Sequence, residues 1–568
     1  MWYRMTAKTQ REIERKYEGP RGAADLPDLS PVAGVASVED KGLLELDAIY
    51  YDTSDQRLAA DRIILRRRTG GTDAGWHIKF PVSLAEGIRE EIRVPLSAGR
   101  EAAGPEATAS RAEGAGGRAK AGAQAGRGAK AARGAGAARS PRGPDAECEA
   151  PAAPPEEIAS LVRSRVRDEP LEPVVRLRSA RRLIHLLDDT GTLLAEAALD
   201  RVRAERLAAP SDAARAGTAE WTETEVELAD GAPYEFLDAV EEELRKAGWR
   251  PSRSASKLAR ALEETGAGQP AAAAAERRPA AEPGDTPMPA AAPVLDYLHR
   301  QRDTLVDLDP AVRRDLPDSV HRMRVATRRM RSVLRSYRKV LDRTVTAPVG
   351  DELKWLAGEL GIDRDREVLA ERLSTALDGL PPELAPGPVR GRMETWSDER
   401  RGDTRGRLAE VLDGERYLRL LDTLDRLLAD PPLLPAATRK PEKVLSKAMR
   451  RDRGRLTGRL TQALNQPPGS DRDAGLHSAR KAAKRLRYTA EAARPVLGSK
   501  ADKTVTAARR LQSLLGDHQD SVMARATLRE LSEEAHGAGE NAFAYGLMYG
   551  REERQAAQDE RNAAEREK

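Results

Sequence analysis

The spacing of side-chain character changes period once along this chain, and that change limits what the chain can fold into. In residues 10–97 and 170–262 the pattern alternates with period two. Glu12-Ile13-Glu14-Arg15-Lys16-Tyr17 shows it, as do Ile63 to Arg68, Trp76 to Phe80, and Trp221-Thr222-Glu223-Thr224-Glu225-Val226-Glu227-Leu228. A β-strand places every second side chain on one face, so these stretches predict strands. Residues 234–247 instead predict a helix, with Phe236, Leu237, Val240 and Leu244 at helical spacing. From about residue 291 onward the apolar period becomes 3.6. Helices are predicted over 319–342, 351–360, 415–429, 440–465, 474–494 and 502–516, broken at Pro and Gly.

Composition separates the two halves. Residues 98–155 are Ala, Gly and Arg with scattered Pro, and 265–290 are Ala, Pro and Glu. Segments of this kind bury too little apolar surface to offset chain entropy, so both predict disorder. The first is a basic insert within the β-rich half, a linker or a further contact for a polyanion. The second joins two domains. The expected organisation is a β domain over 8–264 interrupted at 98–155, a linker over 265–290, and a helical domain over 291–555. A single cysteine, Cys148, excludes an intrachain disulfide. No apolar run approaches the roughly 20 residues that span a bilayer, and the first residues lack the apolar core of a secretion signal. A soluble, cytoplasmic protein that does not enter membranes is expected. The sequence does not set its oligomeric state.

The strands carry charge where a half-buried strand carries apolar residues. Glu12, Glu14 and Lys16 share a face, as do Arg66 and Arg68, and Arg89, Glu91 and Arg93. Lys79, Arg176, Arg178, Arg182 and the Glu223/Glu225/Glu227 set follow the same rule. Such faces either point to solvent or line a barrel whose interior needs a charged ligand. Many cations beside a few carboxylates suit a polyphosphate. The cations bind its oxygens, and the carboxylates hold a divalent metal bridging the same oxygens.

These residues, taken in order, resemble the CYTH domain of the triphosphate tunnel metalloenzymes. Glu12-Ile13-Glu14-Arg15-Lys16 matches its ExExK signature. Tyr50-Tyr51-Asp52-Thr53, Leu65 to Arg68, Ile78-Lys79, Arg89 to Glu91, Arg178 to Arg182, Leu199-Asp200-Arg201, the three glutamates and Ser256-Lys257 follow in the family's order. The resemblance implies an antiparallel barrel forming a tunnel. It implies Mg²⁺ or Mn²⁺ on Glu12 and Glu14 with some of Asp200, Glu223, Glu225 and Glu227, and triphosphate gripped by Lys16, Arg66, Arg68, Lys79, Arg178, Arg182 and Lys257. Lys16 is also implied, with Glu12 and Glu14, in catalysis. Only one of Arg181 and Arg182 faces the tunnel, and the register of the last strand stays open.

The helical half contains a repeat. His321, Arg324, Arg328 and Arg331 recur 156 residues later as His477, Arg480, Lys484 and Arg487. At about 100° per residue, His321, Arg324, Arg328, Arg331 and Arg335 occupy an arc of roughly 80°. Met323, Met330, Val333, Leu334 and Tyr337 fall opposite. Like charges at this spacing cost a helix a few tenths of a kcal/mol each, so an uncompensated stripe that occurs twice points to a polyanion. With three Phe in the chain, aromatic platforms for bases are scarce, which disfavours nucleic acid. The stripes, with Leu360-Gly361 to Asp365 and Leu515-Gly516 to Asp520, resemble the CHAD domain (conserved histidine α-helical domain). That resemblance implies two pseudo-symmetric helical bundles and inorganic polyphosphate binding at the stripes.

The expected fold is therefore α+β, an antiparallel tunnel barrel followed by an all-α domain. The expected activity is metal-dependent hydrolysis of inorganic triphosphate or a related triphosphate, with polyphosphate binding by the helices and a possible location at polyphosphate granules. Alternatives are a polyphosphate-binding protein without turnover, an adenylate cyclase and a nucleic-acid-binding protein.

Overall fold

The computed structural model of the chain describes residues 8–20, 25–83, 88–96, 152–207, 217–266, 289–362, 364–385, 387–400 and 404–567. Most of the basic insert at 98–155 and of the linker at 265–290 lies outside the described residues. The chain forms two compact units. One takes Thr6–Pro155 and Leu171–Ala271, and the other takes Glu156–Pro170 and Ala272–Lys568.

The first unit is an eight-stranded antiparallel barrel. Its strands are β1 (Lys8–Glu18), β2 (Ser37–Asp52), β3 (Ile64–Thr69), β4 (Gly75–Ser83), β5 (Ile88–Pro95), β6 (Glu172–Leu187), β7 (Leu193–Arg206) and β8 (Thr218–Leu228). They run in the order β5-β4-β3-β2-β6-β7-β8-β1, and pairing of β1 with β5 closes the ring. Closure removes both sheet edges. A two-residue strand, β9 (Arg250–Pro251), pairs with the end of β1.

Register then assigns the faces. Glu14 lies opposite Glu227 and Lys16 opposite Glu225. Lys79 lies opposite Glu91, Tyr50 opposite Arg66, and Arg181 opposite Asp200. The alternate residues of β7 and β8, including Ala195, Ala197, Val226 and Leu228, face outward. They pack under Phe236, Leu237, Val240 and Leu244 of a surface helix. The inward face changes character along the barrel. At one end Ala48, Tyr50, Ile64, Val175, Leu177, Val202 and Trp221 enclose Leu258, Ala261 and Leu262 of a second helix. Each such buried leucine stabilises the fold by about 1.5–3 kcal/mol. The charged residues line the rest.

The helices of the chain, in order, are α1 (Arg57–Ala60), α2 (Glu156–Ala159), α3 (Arg163–Val166), α4 (Phe236–Lys246) and α5 (Lys257–Glu264). Then follow α6 (Ala292–Arg313), α7 (Ser319–Ser336), α8 (Arg343–Glu359), α9 (Arg364–Asp378), α10 (Val389–Arg400), α11 (Thr404–Asp413) and α12 (Glu415–Ala429). Last are α13 (Pro441–Leu464), α14 (Ser470–Gly537) and α15 (Phe543–Glu567). The surface helix above is α4, and the one filling the barrel end is α5. Ser256 caps α5, its hydroxyl accepting from the Ala259 N–H at 3.0 Å.

The second unit is all helical, and its largest core joins α6, α7, α8, α12, α13 and the first half of α14. The apolar positions read from the α7 wheel are all there, with Met323, Met330, Val333, Leu334 and Tyr337 buried. The helix predicted over 319–342 stops at Ser336. Its last carbonyls are taken from outside: Arg485 donates to Arg335 O at 2.8 Å, and Arg451 donates to Ser336 O. Such partners end a helix by satisfying its orphan acceptors. The predicted 474–494 and 502–516 helices are arms of one long element that bends at Gly498 (φ 46°, ψ −126°).

Residues 156–170 come between β5 and β6 in sequence yet belong to the helical unit. Ile158, Leu161, Val162 and Val166 are buried. Arg165 pairs with Asp307 on α6 at 2.7 Å, and Arg167 spans Asp422 (3.0 Å) and Asp425 (2.8 Å) on α12. The β domain expected over 8–264 thus lends a folded segment to the other unit.

Candidate functional sites in the barrel and on the basic helices

The barrel interior has two electrostatic poles. At the first, Arg66, Arg68 and Arg181 converge. Burial and the charges of Arg66 and Arg181 push Arg68 down to about 9. The Nε atoms of Arg66 and Arg68 are buried and have no hydrogen-bond partner. A buried N–H left unmatched costs about 1–3 kcal/mol, a cost that an anion at this pole would relieve. Arg68 also contacts Asp73, and Arg66 lies 3.5 Å from Glu91.

At the second pole carboxylates crowd. Burial, then the charges of Glu12, Glu14 and Glu196, push Glu227 up to about 7. Burial likewise raises Glu12, although Lys79 opposes it. Burial alone would raise Glu14, but Lys16, Lys79 and Arg89 hold it below the usual carboxylate range. A hard divalent cation would remove the repulsion within such a crowded set. Glu12, Glu14 and Glu227 make up the set, two of them raised and Glu14 lowered.

Glu12 and Glu14 have ion pairs of their own, the first with Lys79 and Arg93 and the second with Lys16 and Arg89, and the remaining acids are matched as well. Asp200 receives both nitrogens of Arg181 at 2.8 and 2.7 Å, and Lys257 at 2.9 Å. Lys257 also meets Glu223 at 2.9 Å and Glu225 at 2.6 Å, and Lys16 joins Glu225. These cations hold Asp200 and Glu225 low despite burial. Lys79 bonds Glu12, and Glu91 is fully buried among His77, Lys79, Arg66 and Arg93.

All three glutamates of β8 face inward, opposite Asp200, Ala198 and Glu196 of β7. So do Lys16, Arg66, Arg68, Lys79, Asp200 and Lys257. Two expected phosphate contacts are corrected. Arg182 is on the outer face, bound to Asp40 at 2.8 Å and Asp25 at 2.7 Å. Arg178 shares that outer parity, half exposed beside Asp47 at 3.7 Å. The inward neighbour is Arg181. Arg181 resolves the choice that the sequence left open with Arg182, while Glu91, Arg93, Arg89 and His77 are interior residues that sequence reasoning left out of the site. Their signal was the same period-two alternation, read on the wrong phase or passed over.

On the helical unit His321 and Arg335 are exposed, and Arg324, Arg328 and Arg331 are half-buried. Burial and the neighbouring Arg335 and Arg328 lower Arg331. The second stripe has polar and ion-pair partners. Arg480 lies 3.8 Å from Asp520. Arg487 bonds Gln512 at 2.9 Å and Glu491 at 3.1 Å, stacked on Tyr488. Lys484 is half-buried, and His477 is lowered by burial and by Lys481, Arg480 and Lys484. The repeated glycines have a steric role. A Cβ on Gly361 would sit 2.8 Å from the Arg324 guanidinium, and one on Gly516 3.2 Å from that of Arg480. Sequence reading overlooked Arg451, Arg455 and Arg485, which gather with Arg335 around Asp452 and leave Arg485 at about 10 through burial and mutual repulsion.

A closed antiparallel barrel with charged residues facing inward, followed by an all-helical unit with two basic stripes, defines a two-domain architecture with two separate charged sites. The chain belongs to the CYTH–CHAD proteins: the CYTH domain matches residues 10–262 and the CHAD domain residues 296–529. It is 36% identical over 548 residues to uncharacterized proteins from two strains of Mycobacterium tuberculosis, covering 95% of this chain and 92% of theirs. Among solved structures it is similar to PptA from Streptomyces chartreusis (20% identity, TM-score 0.41, 49% of this chain and 99% of that one). It is also similar to the CHAD domain from the plant Ricinus communis (24% identity, TM-score 0.37, 50% and 91%). CYTH domains are metal-dependent and bind triphosphate substrates. Among the described residues no helix is long and apolar enough to cross a membrane.

Proposed function

We propose that the barrel hydrolyses inorganic triphosphate or a related triphosphate with Mg²⁺ or Mn²⁺, and that the basic helices bind inorganic polyphosphate. The observation that carries this reading is that one barrel interior holds both kinds of group: unmatched guanidinium N–H groups at Arg66 and Arg68, and the crowded carboxylates of Glu12, Glu14 and Glu227. A triphosphate would draw on the cations, and Glu12, Glu14 and Glu227 would hold its metal. The metal supplies charge neutralisation and Lewis acidity toward the phosphoryl group. Arg66, Arg68 and Arg181 hold the chain, with Lys79 and Lys257 released from acids to meet further oxygens. Lys16, set between Glu14 and Glu225, positions the attacking water by family analogy. The α5 plug excludes bulk water from one end.

The ion pairs that already saturate Asp200 and Glu225 favour a second reading, a polyphosphate-binding protein without turnover. Phosphate release from inorganic triphosphate with Mg²⁺ or Mn²⁺ separates the two. Turnover that disappears on removal of metal and in Glu12→Ala/Glu14→Ala supports hydrolysis. Absence of turnover from the unaltered protein, with polyphosphate still bound, overturns it for this substrate. Loss of polyphosphate binding in Arg324→Ala/Arg480→Ala, with turnover retained, supports the helical assignment.

A further inference from the structure

Among the described residues, one group of three metal-ligating side chains brings its donor atoms within 4.8 Å of one another. It lies in the helical unit, outside both basic stripes. Asp473 comes from the first arm of α14, His518 from the second arm beyond the bend, and Glu560 from α15. His518 is 1% exposed. Its Nε2 is 3.3 Å from Glu560 Oε1 and 3.4 Å from Asp473 Oδ1.

Each carboxylate is steered by an arginine on its other oxygen. Arg472 holds Glu560 Oε2 at 2.7 Å, and Arg525 holds Asp473 Oδ2 at 3.4 Å. This leaves one oxygen of each acid turned toward the imidazole nitrogen. Partners that fix the outer atoms of a ligand set are what a metal centre requires. Tetrahedral ligands on bonds of about 2.0–2.1 Å stand about 3.3 Å apart, which is the spacing seen around Nε2. An independent sign comes from the next residue. Asp559 is 3% exposed, and its Oδ2 has no hydrogen-bond partner. Its other oxygen accepts from Gln555 at 3.0 Å.

We propose that Asp473, His518 and Glu560 form a site for a borderline divalent metal of the Zn²⁺ class, which ties both arms of α14 to α15. One imidazole nitrogen with two carboxylate oxygens favours such an ion over Mg²⁺, which takes oxygen ligands. The site is separate from the carboxylate pole of the barrel and does not depend on the proposed hydrolysis.

The test uses the full chain, stripped with chelator, exposed to Zn²⁺ and gel-filtered before metal analysis, beside His518→Gln, Asp473→Asn and the outer-face control Arg182→Gln. The expected result is that His518→Gln and Asp473→Asn each retain about one equivalent less zinc than the unaltered chain, while Arg182→Gln retains as much as the unaltered chain. Zinc should also raise the melting temperature of the unaltered chain and of Arg182→Gln, but not of His518→Gln. Co²⁺ in place of Zn²⁺ should give the intense visible bands of a low-coordinate site, lost in His518→Gln. Equal zinc retention by the unaltered chain and both helical variants would overturn the proposal. So would a melting temperature of the unaltered chain that zinc leaves unchanged, because the cluster would then be an ion-pair network alone. Should His518→Gln fail to fold, Asp473→Asn carries the same comparison.

Discussion

Arg181 and Arg182 are adjacent in sequence and differ in everything that matters to a ligand. One reaches Asp200 and Glu225 inside the barrel, and the other reaches Asp25 and Asp40 outside it. Alternation shows that every second residue shares a face but does not say which face is inside. That phase is set by pairing with β7, where Arg181 meets Asp200 and Arg182 meets Leu199. The ExExK strand was legible because its apolar partners Ile13 and Tyr17 mark the other face. In β6 both faces carry arginine, so the phase was not. His477 supports a prediction of pH dependence. Its pKa lies below the ordinary value through burial and nearby cations. The unfolded chain therefore binds more protons near pH 6, and this residue's contribution to stability is lost as pH falls through about 6.5. A bound polyanion opposes that shift. Polyphosphate binding should tighten from pH 7.5 to pH 6 with proton uptake, and His477→Gln should flatten the change, as calorimetry in buffers of different ionisation enthalpy would show.

At the scale of elements, the ends of helices were less legible than their existence. The α7 pattern was plain over its apolar face, but its stop at Ser336 depends on Arg485 and Arg451, which are far away in sequence. Likewise, Leu360-Gly361 and Leu515-Gly516 stood out as repeats, while their purpose needed coordinates. Each glycine leaves room for the guanidinium of the preceding stripe. Gly361→Ala should therefore displace Arg324 and weaken polyphosphate binding several-fold with the helices intact by circular dichroism. Gly516→Ala, at a looser contact, should do less. In the barrel, α5 closes one end with Leu258 and Leu262. Leu258→Ala should cost about 2–5 kcal/mol in stability, read by denaturant melts, and lower turnover as water enters.

At the scale of the whole molecule, the chain passes between its units three times among the described residues, because Glu156–Pro170 leaves the barrel's sequence to fold with the helices. Composition placed a break near 155 but could not reveal this allegiance, since Arg165 and Arg167 look like any other surface arginines. Their partners Asp307, Asp422 and Asp425 lie on α6 and α12. A fragment beginning at residue 289 should melt at lower temperature than the helical unit does in the full chain, and supplying 152–171 as a peptide should restore part of the difference. An identical melt in both forms would remove the segment from that fold.

The claim on which the rest depends is that the chemistry lies inside the barrel. The most direct test compares Arg181→Ala with Arg182→Ala in kcat/KM for inorganic triphosphate at saturating Mn²⁺. The account predicts a loss of about 100-fold for Arg181→Ala and a change within about two-fold for the exposed Arg182→Ala. Equal losses, or a larger loss at Arg182, would contradict it.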